Sequence, residues 1–370
     1  MVNLTCRPRQ SQRAIRTGGG ARYSWYVVDT AVRDVRDTRG RHLRDLRVSV
    51  TDRCNFRCPY CMPRELFGPD HVFLPQDQIL TIAEIALLVK VFVQLGVHKV
   101  RLTGGEPLLR PDLELLIAQI AATPGVDDIA LTTNGALLAR RAAGLFDAGL
   151  HRVTVSLDSL DPVVFSELAD TKVPLGRVLE GIAAASAAGR RPVKLNAVLQ
   201  RGRNDDALLE LVDFAREGGH SLRFIEYMDV GSTNGWQGAQ VVTAAEVLER
   251  VHAVHPVEPV DEPRDGQVAE RWRYLDGRGE LGLVSSVTRP FCGDCVRARL
   301  TATGELHTCL FSAAGHDLRT PLREGATEPE LLARVQWIWG VRDDRYSELR
   351  ATAEPTGVGT PRPEMSYLGG

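Results

Sequence analysis

The sequence predicts an α/β fold built on a parallel sheet, and two observations support this prediction. From residue 46 onward, short β-branched runs alternate with stretches whose apolar residues recur at three- and four-residue steps. Six such strand–helix units in series are typical of a parallel sheet, because each helix returns the chain to the edge where the next strand begins. The predicted strands are residues 46–51, 99–104, 128–133, 152–158, 193–199 and 222–228.

The segments between the strands predict amphipathic helices and one functional edge. Windows 80–96 and 205–219 have helical periodicity, and the second ends in Gly218-Gly219, a helix stop signal. The segments TDRC, TGGEP, TTNG and SLDS each lie at the carboxyl end of a predicted strand. We expect them at one edge of the sheet, where parallel α/β folds carry their active sites.

The pattern changes outside this region, and we predict four parts. Residues 1–43 read as a basic, glycine-rich, disordered leader without the apolar core of a secretion signal. Residues 44–230 carry the strand–helix units, and residues 231–342 form a second domain with short strands. Residues 343–370 are a polar tail that ends in Gly-Gly.

Composition excludes several classes of protein. The net charge of −2 argues against a nucleic-acid partner, and no apolar run is long enough to span a membrane. The seven cysteines are odd in number, and six of them fall into two tight triplets. This favours thiolate ligands in a reducing compartment over disulfides, so we expect a cytoplasmic protein. Cys6, in the leader, is left without a role.

The first triplet is Cys54, Cys58 and Cys61, in the loop after the first strand. Structural zinc sites take four ligands, and the nearest histidines, His42 and His71, lack the spacing of a zinc knuckle. Three thiolates leave one metal valence open, as a catalytic cluster requires when a small molecule binds to it.

The second triplet is Cys292, Cys295 and Cys309. A zinc ribbon completed by His307 or His316 is the alternative for this group. Strand alternation places two arginines on one face beside the triplet. Further cations lie in the predicted strands, where burial without a partner is costly, so together they imply a highly charged anion such as a triphosphate. These cations are Arg47, Lys99, Arg101, Lys194, Arg223, Arg297 and Arg299.

The C-x3-C-x-aromatic-C pattern, followed by Gly104-Gly105-Glu106-Pro107 after the second strand, resembles the radical S-adenosylmethionine (SAM) superfamily. The resemblance implies an incomplete (β/α)6 barrel of the TIM type. It also implies a [4Fe–4S] cluster on three cysteines, with SAM chelating the fourth iron. Reductive cleavage of SAM then gives a 5′-deoxyadenosyl radical, and the GGEP segment contacts the SAM amino group.

Longer stretches resemble one member, the GTP 3′,8-cyclase family of molybdenum cofactor biosynthesis. They include DLRVSVTDRCNFRCPYCMP, FCGDCVRARLTATGELHTCLF and the tail RPEMSYLGG. The resemblance implies a second [4Fe–4S] cluster in a C-terminal α+β domain, with the guanine base of GTP on its open iron. It implies that this lyase removes the ribose 3′ hydrogen, and that the carbon radical attacks C8 to give (8S)-3′,8-cyclo-7,8-dihydroguanosine 5′-triphosphate. The tail reaches the active site in this family.

The resemblance assigns roles residue by residue. The cluster ligands are Cys54, Cys58, Cys61, Cys292, Cys295 and Cys309. The SAM contacts are Tyr60, Gly104, Gly105, Glu106, Ser156 and Met228. The GTP contacts are Arg47, Lys99, Arg101, Thr132, Lys194, Asn196, Arg223, Arg297, Ala298 and Arg299. The first triplet together with Arg297 and Arg299 forms the catalytic set.

Partners follow from the same resemblance. We expect GTP as substrate, an electron donor such as flavodoxin or ferredoxin, and a downstream cyclic pyranopterin monophosphate synthase. The oligomeric state stays open, a homodimer being one expectation. Two other functions stay open as well: a peptide-modifying radical SAM maturase with an auxiliary cluster, and a zinc-binding structural module. The RxR between ligands of the second triplet argues against the first, and the spacing of both triplets argues against the second.

Overall fold

The structure is a computed structural model that describes residues 34–189, 192–260, 266–350 and 362–369. Cys6 and Gly370, on which sequence predictions were made, lie outside the described residues. Across the described chain, no helix combines the length and the apolar character needed to cross a bilayer.

Six parallel strands form the centre of the sheet and lie side by side in chain order. Each begins and ends within two residues of its predicted window, and the prediction of an α/β fold on a mostly parallel sheet is confirmed. The carboxyl ends of these strands meet at one edge. The strands are β1 (Asp45–Ser49), β2 (Lys99–Thr103), β3 (Asp128–Thr133), β4 (Arg152–Ser156), β5 (Lys194–Leu199) and β6 (Ser221–Glu226).

Helices connect these strands and are fixed by local signals. In α1, the Thr81 hydroxyl and the Glu84 carboxylate form a reciprocal capping box, and Leu88 and Phe92 are buried against the sheet. α4 begins at Pro162, after Asp161 caps the amides of the first turn. The helices are α1 (Ile82–Gln94), α2 (Leu113–Ala121), α3 (Leu138–Asp147), α4 (Pro162–Ala169), α5 (Leu175–Ala188), α6 (Leu208–Glu217), α7 (Ala244–Val254), α8 (Arg319–Arg323), α9 (Glu328–Gly340), α10 (Tyr346–Leu349) and α11 (Met365–Leu368).

Strands from the C-terminal third extend the same sheet at both ends. They are β7 (Val257–Pro259), β8 (Glu270–Tyr274), β9 (Glu280–Val284), β10 (Arg297–Leu300), β11 (Glu305–His307) and β12 (His316–Asp317). β10 pairs with β1 in parallel, and β9 pairs with β6 in parallel. The strand order is therefore β12-β11-β10-β1-β2-β3-β4-β5-β6-β9-β8-β7. This order brings β10, which lies between Cys295 and Cys309 of the second triplet, next to β1, which precedes the first triplet.

Residues 34–43, which the sequence places in the disordered leader, are packed into the fold. Asp37, Arg41 and Leu43 are all buried, and Arg36 and His42 form an isolated antiparallel bridge. The prediction of disorder up to residue 43 does not hold for this stretch. Its charged residues resemble a solvated leader in sequence, but in the structure they form a buried ion pair.

Candidate active site

One cavity brings the two cysteine triplets together, with the first at the carboxyl end of β1 and the second at the amino end of the parallel strand β10. Most of the predicted site residues line it, but the side chains of Lys99, Lys194 and Ala298 do not. The predicted residues that line it are Arg47, Cys54, Cys58, Tyr60, Cys61, Arg101, Gly104, Gly105, Glu106, Thr132, Ser156, Asn196, Arg223, Met228, Cys292, Cys295, Arg297, Arg299 and Cys309.

The first triplet lies in a loop that Arg57 holds in shape. The Arg57 guanidinium donates to the carbonyls of Cys54 and Phe56, each at 2.8 Å, and to that of Phe67 at 2.7 Å. The amide of Cys61 donates to the Cys58 carbonyl at 2.9 Å and closes a tight turn between these two cysteines. Sequence reasoning missed Arg57, because an arginine between two cysteines looks like any surface charge.

Burial makes the thiols of the first triplet hard to ionise. It raises the pKa of Cys54 to about 11, and it raises the pKa of Cys58 and of Cys61, with the neighbouring thiols adding to the effect. All three are free thiols. Thiolates in this position therefore need a cationic centre to stabilise them, which is what iron provides.

The two glycines after β2 are required by the cysteine loop itself. Gly104 has φ +144°, and a Cβ there would lie 2.6 Å from the Thr51 carbonyl oxygen, while a Cβ on Gly105 would collide with the backbone of Arg53. The amides of Gly105 and Glu106 donate to the Thr51 and Arg53 carbonyls at 2.9 and 2.7 Å. By resemblance, the segment that contains these glycines contacts the SAM amino group. The structure adds close approach to the loop that carries the first triplet.

Glu106 is a buried carboxylate that connects β2 to β3. It accepts hydrogen bonds from Thr133 Oγ1 at 2.7 Å, the Asn134 amide at 2.8 Å and the Leu108 amide at 3.0 Å. Burial nevertheless raises the pKa of Glu106 to about 7. A cationic ligand group in the cavity would favour the ionised form.

Tyr60 is oriented by a residue that sequence reasoning did not assign. Its hydroxyl donates to Asp158 Oδ2 at 2.6 Å, and Asp158 Oδ1 accepts from the Val198 amide at 2.8 Å. Burial raises the pKa of Tyr60, so the hydroxyl stays protonated as a donor. Asp158 lies in the segment SLDS after β4, so its position at a strand end was the available signal.

The second triplet spans a short turn and two strand ends. Cys292 begins a single 3-10 turn (Cys292–Asp294), Cys295 precedes β10, and Cys309 follows β11. Burial opposes ionisation of Cys295, but the charges of Arg297 and Arg342 lower its pKa to about 6. Burial raises the pKa of Cys309 to about 11.

A buried ion network holds the backbone of the second triplet in place. Asp37 Oδ2 accepts from Arg41 Nε at 2.6 Å and from Arg342 Nη1 at 3.2 Å, and all three side chains are at most 2% exposed. Arg41 donates to the Cys292 carbonyl, and Arg342 to the Cys295 carbonyl, both at 2.8 Å. Sequence reasoning missed this network, since Arg342 lies 305 residues from Asp37.

The arrangement of side chains around the two cysteine triplets gives little support to a zinc site. Among the described residues, no group of three or more His, Cys, Asp or Glu side chains is arranged to hold one metal ion. Zinc needs its ligands to converge on a single point, whereas the ligands of an iron–sulfur cluster bind different iron atoms. His307 is buried outside the cavity lining, with its Nδ1 2.9 Å from Ser312 Oγ.

Arginines from adjacent strands form a cationic wall between the triplets. Arg47 of β1 is in register with Arg101 of β2 and with Arg299 of β10. Burial and the charges of neighbouring arginines lower the pKa of Arg47. The same causes lower the pKa of Arg299 to about 10. Within the described chain, the buried Nε atoms of Arg47, Arg101 and Arg297 have no hydrogen-bond partner. Such a wall is complementary to a polyanion.

The two predicted lysines outside the lining differ in their surroundings. Lys99 Nζ lies 3.1 Å from Asp45 Oδ2, so the protein itself supplies its counter-charge. Burial and the charge of Arg223 lower the pKa of Lys194 to about 6. Ala298 faces away from the cavity, since alternation along β10 places its side chain opposite those of Arg297 and Arg299.

The C-terminal segment reaches the same wall. Arg299 Nη1 donates to the Gly369 carbonyl at 3.0 Å, and Met365 lines the cavity. Glu364 fixes the segment by accepting from the Ser232 amide and from Thr233 Oγ1, each at 3.0 Å. The tail therefore contacts one of the arginines that sequence analysis assigns to GTP.

Comparisons with known proteins define the class. The profile of the Radical SAM superfamily matches residues 48–215, and that of Molybdenum Cofactor Synthesis C matches residues 220–348. The structure of Streptococcus suis SuiB bound to S-adenosylmethionine shares the fold at 15% identity, with a TM-score of 0.55 over 86% of this chain and 70% of SuiB. The matching profile, with the cysteine loop after β1, defines a radical SAM enzyme.

Curated relatives identify the family within this class. The GTP 3′,8-cyclase of Acidothermus cellulolyticus is 54% identical over 358 residues, which cover 91% of this chain and 99% of the relative. The GTP 3′,8-cyclases of Xanthomonas axonopodis pv. citri (51%, covering 91% and 99%) and Staphylococcus saprophyticus (44%, covering 92% and 100%) agree. The chain belongs to the GTP 3′,8-cyclase family, which confirms the resemblance seen in the sequence.

Proposed function

We propose that this protein converts GTP to (8S)-3′,8-cyclo-7,8-dihydroguanosine 5′-triphosphate. The observation that carries the proposal is the single cavity in which two cysteine triplets flank a wall of buried arginines. A cavity of this kind can hold two reactants at once, with the triphosphate on the arginines. Holding both reactants in place contributes much of the rate enhancement, because it removes the entropic cost of their encounter.

The residues present fit the groups that the family implies. Cys54, Cys58 and Cys61 would hold one [4Fe–4S] cluster, and Cys292, Cys295 and Cys309 a second. The donor set consists of thiols alone, and in the first triplet burial disfavours the thiolate unless a metal is present. When bound, SAM and the first cluster supply the 5′-deoxyadenosyl radical that takes the ribose 3′ hydrogen.

The protein's own groups bind and orient the reactants. Arg297 and Arg299, with Arg47, Arg101 and Arg223, bind the triphosphate, and Thr132, Lys194, Asn196, Lys99 and the Ala298 backbone complete the proposed GTP site. Gly104, Gly105, Glu106, Ser156, Met228 and Tyr60 form the proposed SAM site. The tail covers the arginine wall at Gly369 and helps to exclude water, which protects a reactive radical.

The finer architecture is part of the same proposal. We propose an incomplete (β/α)6 barrel at residues 44–230, an α+β domain with the second cluster at 231–342, and a tail from 343 that enters the active site. The continuous sheet supports a close association of barrel and second domain.

The proposed partners follow from the reaction. They are a one-electron donor such as flavodoxin or ferredoxin and a downstream cyclic pyranopterin monophosphate synthase. Free thiols in both triplets fit a cytoplasmic enzyme, and a homodimer is the assembly to test first.

The decisive experiment incubates the reduced protein with SAM and GTP in the absence of oxygen. We expect 5′-deoxyadenosine and a cyclised GTP, detected by mass spectrometry. Anaerobic reconstitution should give about eight iron atoms per chain, as two [4Fe–4S] clusters require. Stoichiometric zinc in place of iron would refute the proposal.

Two variants test the arginine wall. Arg297→Ala and Arg299→Ala should weaken GTP binding, measured by equilibrium dialysis, while SAM cleavage continues. Arg273→Ala is the matched control, since Arg273 lies on β8 in an exposed pair with Glu258 outside the cavity. Unchanged GTP affinity in either cavity variant would exclude that arginine from the site.

The ligand assignment is tested separately. Cys54→Ser should abolish 5′-deoxyadenosine formation, because a hydroxyl does not replace a thiolate on iron. Retained cleavage of SAM in this variant would contradict the assignment of the first triplet.

A further inference from the structure

A second concave surface lies on the outer side of the first cysteine loop. We call it the basic groove, and five cations line it: Arg57, Arg64, Arg140, Lys172 and Arg177. Asp170 is the acidic residue in its lining. The charge of the groove is thus +5 − 1 = +4 over its lining, and +3 once the nearby Glu180, which pairs with Arg177, is included. This local charge contrasts with the net charge of −2 on the whole chain.

Two of these cations are free to meet a partner. Arg64 is paired with Asp170 at 2.7 Å, and Arg57 is used in holding the cysteine loop. Arg140 and Lys172 are exposed, and neither has an ion-pair partner anywhere in the described parts of the chain. Exposed and unpaired charges of one sign attract an oppositely charged surface and speed up its association.

The floor of the groove connects it to the active site. Cys54 lines both the basic groove and the inner cavity, so one residue of the first triplet separates the outer surface from the site. The loop that forms one side of the groove also exposes two apolar side chains, Leu66 at 47% and Val72 at 87%. Apolar side chains surrounded by a polar rim are typical of protein interfaces.

We propose that the basic groove is the docking site for an acidic protein that carries one electron, and that the electron enters the enzyme past Cys54. This inference rests on the proposed function, which requires a reductant at the first triplet. In the transfer, the reduced carrier loses one electron and the centre held by the first triplet gains it. Electron-transfer complexes are small and short-lived, which suits a shallow charged groove.

A nucleic acid is the other polyanion that such a groove could attract. The charge of the chain as a whole does not favour it, and a cysteine of the proposed redox site in the lining has no use in nucleic-acid binding. The redox protein is therefore the partner that the groove fits better, and binding of single-stranded RNA would distinguish the two.

The test uses the reconstituted holoenzyme with reduced flavodoxin, and in parallel with dithionite, which needs no docking site. Arg140→Glu and Lys172→Glu should each slow 5′-deoxyadenosine formation with flavodoxin by about three- to tenfold at low salt. The rate with dithionite should not change, and added salt should narrow the difference from wild type. Arg278→Glu is the matched control, an equal change of charge at an exposed turn outside the groove.

Direct binding provides a readout that does not depend on activity. Carbodiimide coupling of flavodoxin to the holoenzyme should yield an amide cross-link at Lys172, located by mass spectrometry and lost in Lys172→Gln. The proposal is overturned if the flavodoxin rate is unchanged in both variants, if the dithionite rate falls equally, or if single-stranded RNA binds the groove while flavodoxin does not. If wild type makes no 5′-deoxyadenosine with dithionite, the proposed function fails. In that case the cross-link at Lys172 still decides the docking proposal.

Discussion

The contact between the tail and β2 allows a quantitative test through Gly369→Ala. Gly369 has φ +67°, and a Cβ there would collide with Thr103 Oγ1. The collision pushes the segment outward and breaks the hydrogen bond from Arg299 to the Gly369 carbonyl. The lost charge-assisted bond is worth about 1.5–3 kcal/mol. The left-handed backbone costs alanine about 1 kcal/mol more. Docking of the tail should therefore weaken by about 2.5–4 kcal/mol.

Hydrogen exchange of a peptide covering residues 362–369 measures this weakening. The Gly369 amide donates to the Met365 carbonyl at 3.1 Å, and the Ser232 amide reports docking from the other side through Glu364. In the Gly369→Ala variant, exchange at these amides should accelerate by about 10²- to 10³-fold. Amides in α1 serve as the internal control and should be unaffected.

Substitutions of Thr103 separate the collision from the cost of the backbone. Thr103 Oγ1 is buried and has no hydrogen-bond partner in the described chain, so its removal breaks no bond. Thr103→Ala should restore most of the protection in the double variant and leave the backbone cost of about 1 kcal/mol. Thr103→Val keeps the branched shape and should restore nothing. Equal effects of alanine and valine, or a Gly369→Ala variant with normal protection, would refute the reasoning.

Three further predictions concern buried charges. Lys194, whose pKa of about 6 leaves it neutral at pH 7.5, should take up one proton when GTP binds. Calorimetry in buffers of different ionisation enthalpy detects the uptake, which Lys194→Met should remove. Asp37→Asn should lower the free energy of unfolding by about 3–5 kcal/mol in denaturant titrations. The control is Asp343→Asn, at an exposed carboxylate that pairs with Arg39, and it should change the free energy of unfolding by less than about 1 kcal/mol. Because the pKa of Glu106 is raised from 4.5 to about 7, its contribution to stability is present below pH 4.5 and lost as the pH rises through 7. The apoprotein should lose about 3 kcal/mol across that window, and a Glu106→Gln variant that keeps the same slope would exclude this carboxyl as the cause.

Local patterns predicted most of the central sheet, and they identified the six cysteines that line the cavity. The six central strands were predictable because side-chain periodicity is a property of each segment by itself, and β3 matches its predicted window at both ends. The first triplet was predictable because its spacing reflects the geometry of one loop. The arginines of β10 were placed on one face by alternation, and the same alternation could have shown that the Ala298 side chain points away.

Contacts between distant segments were beyond reach of the sequence. Asp37 and Arg342 are separated by 305 residues and form an ion pair with side chains at most 1% exposed. In a sequence, a charge at either position looks like a solvated one. The ion pair between Lys99 and Asp45 was missed for a similar reason. The two residues lie on different strands, β2 and β1, and only the register of these strands places them side by side. In each case the partner is set by the sheet order, which no single segment encodes.

The pairing of β1 with β10 also determines when the protein can finish folding. β1 is complete near residue 49, but its neighbour on one side begins at Arg297, about 250 residues later. At about 5–20 residues per second, the ribosome leaves that edge of β1 open for about 12–50 s. An open edge of this kind favours pairing between chains, so a message truncated before codon 297 should yield aggregating protein rather than a partly active enzyme. Segments about 250 residues apart in the sequence line one cavity, and strands made late protect the edge of the first.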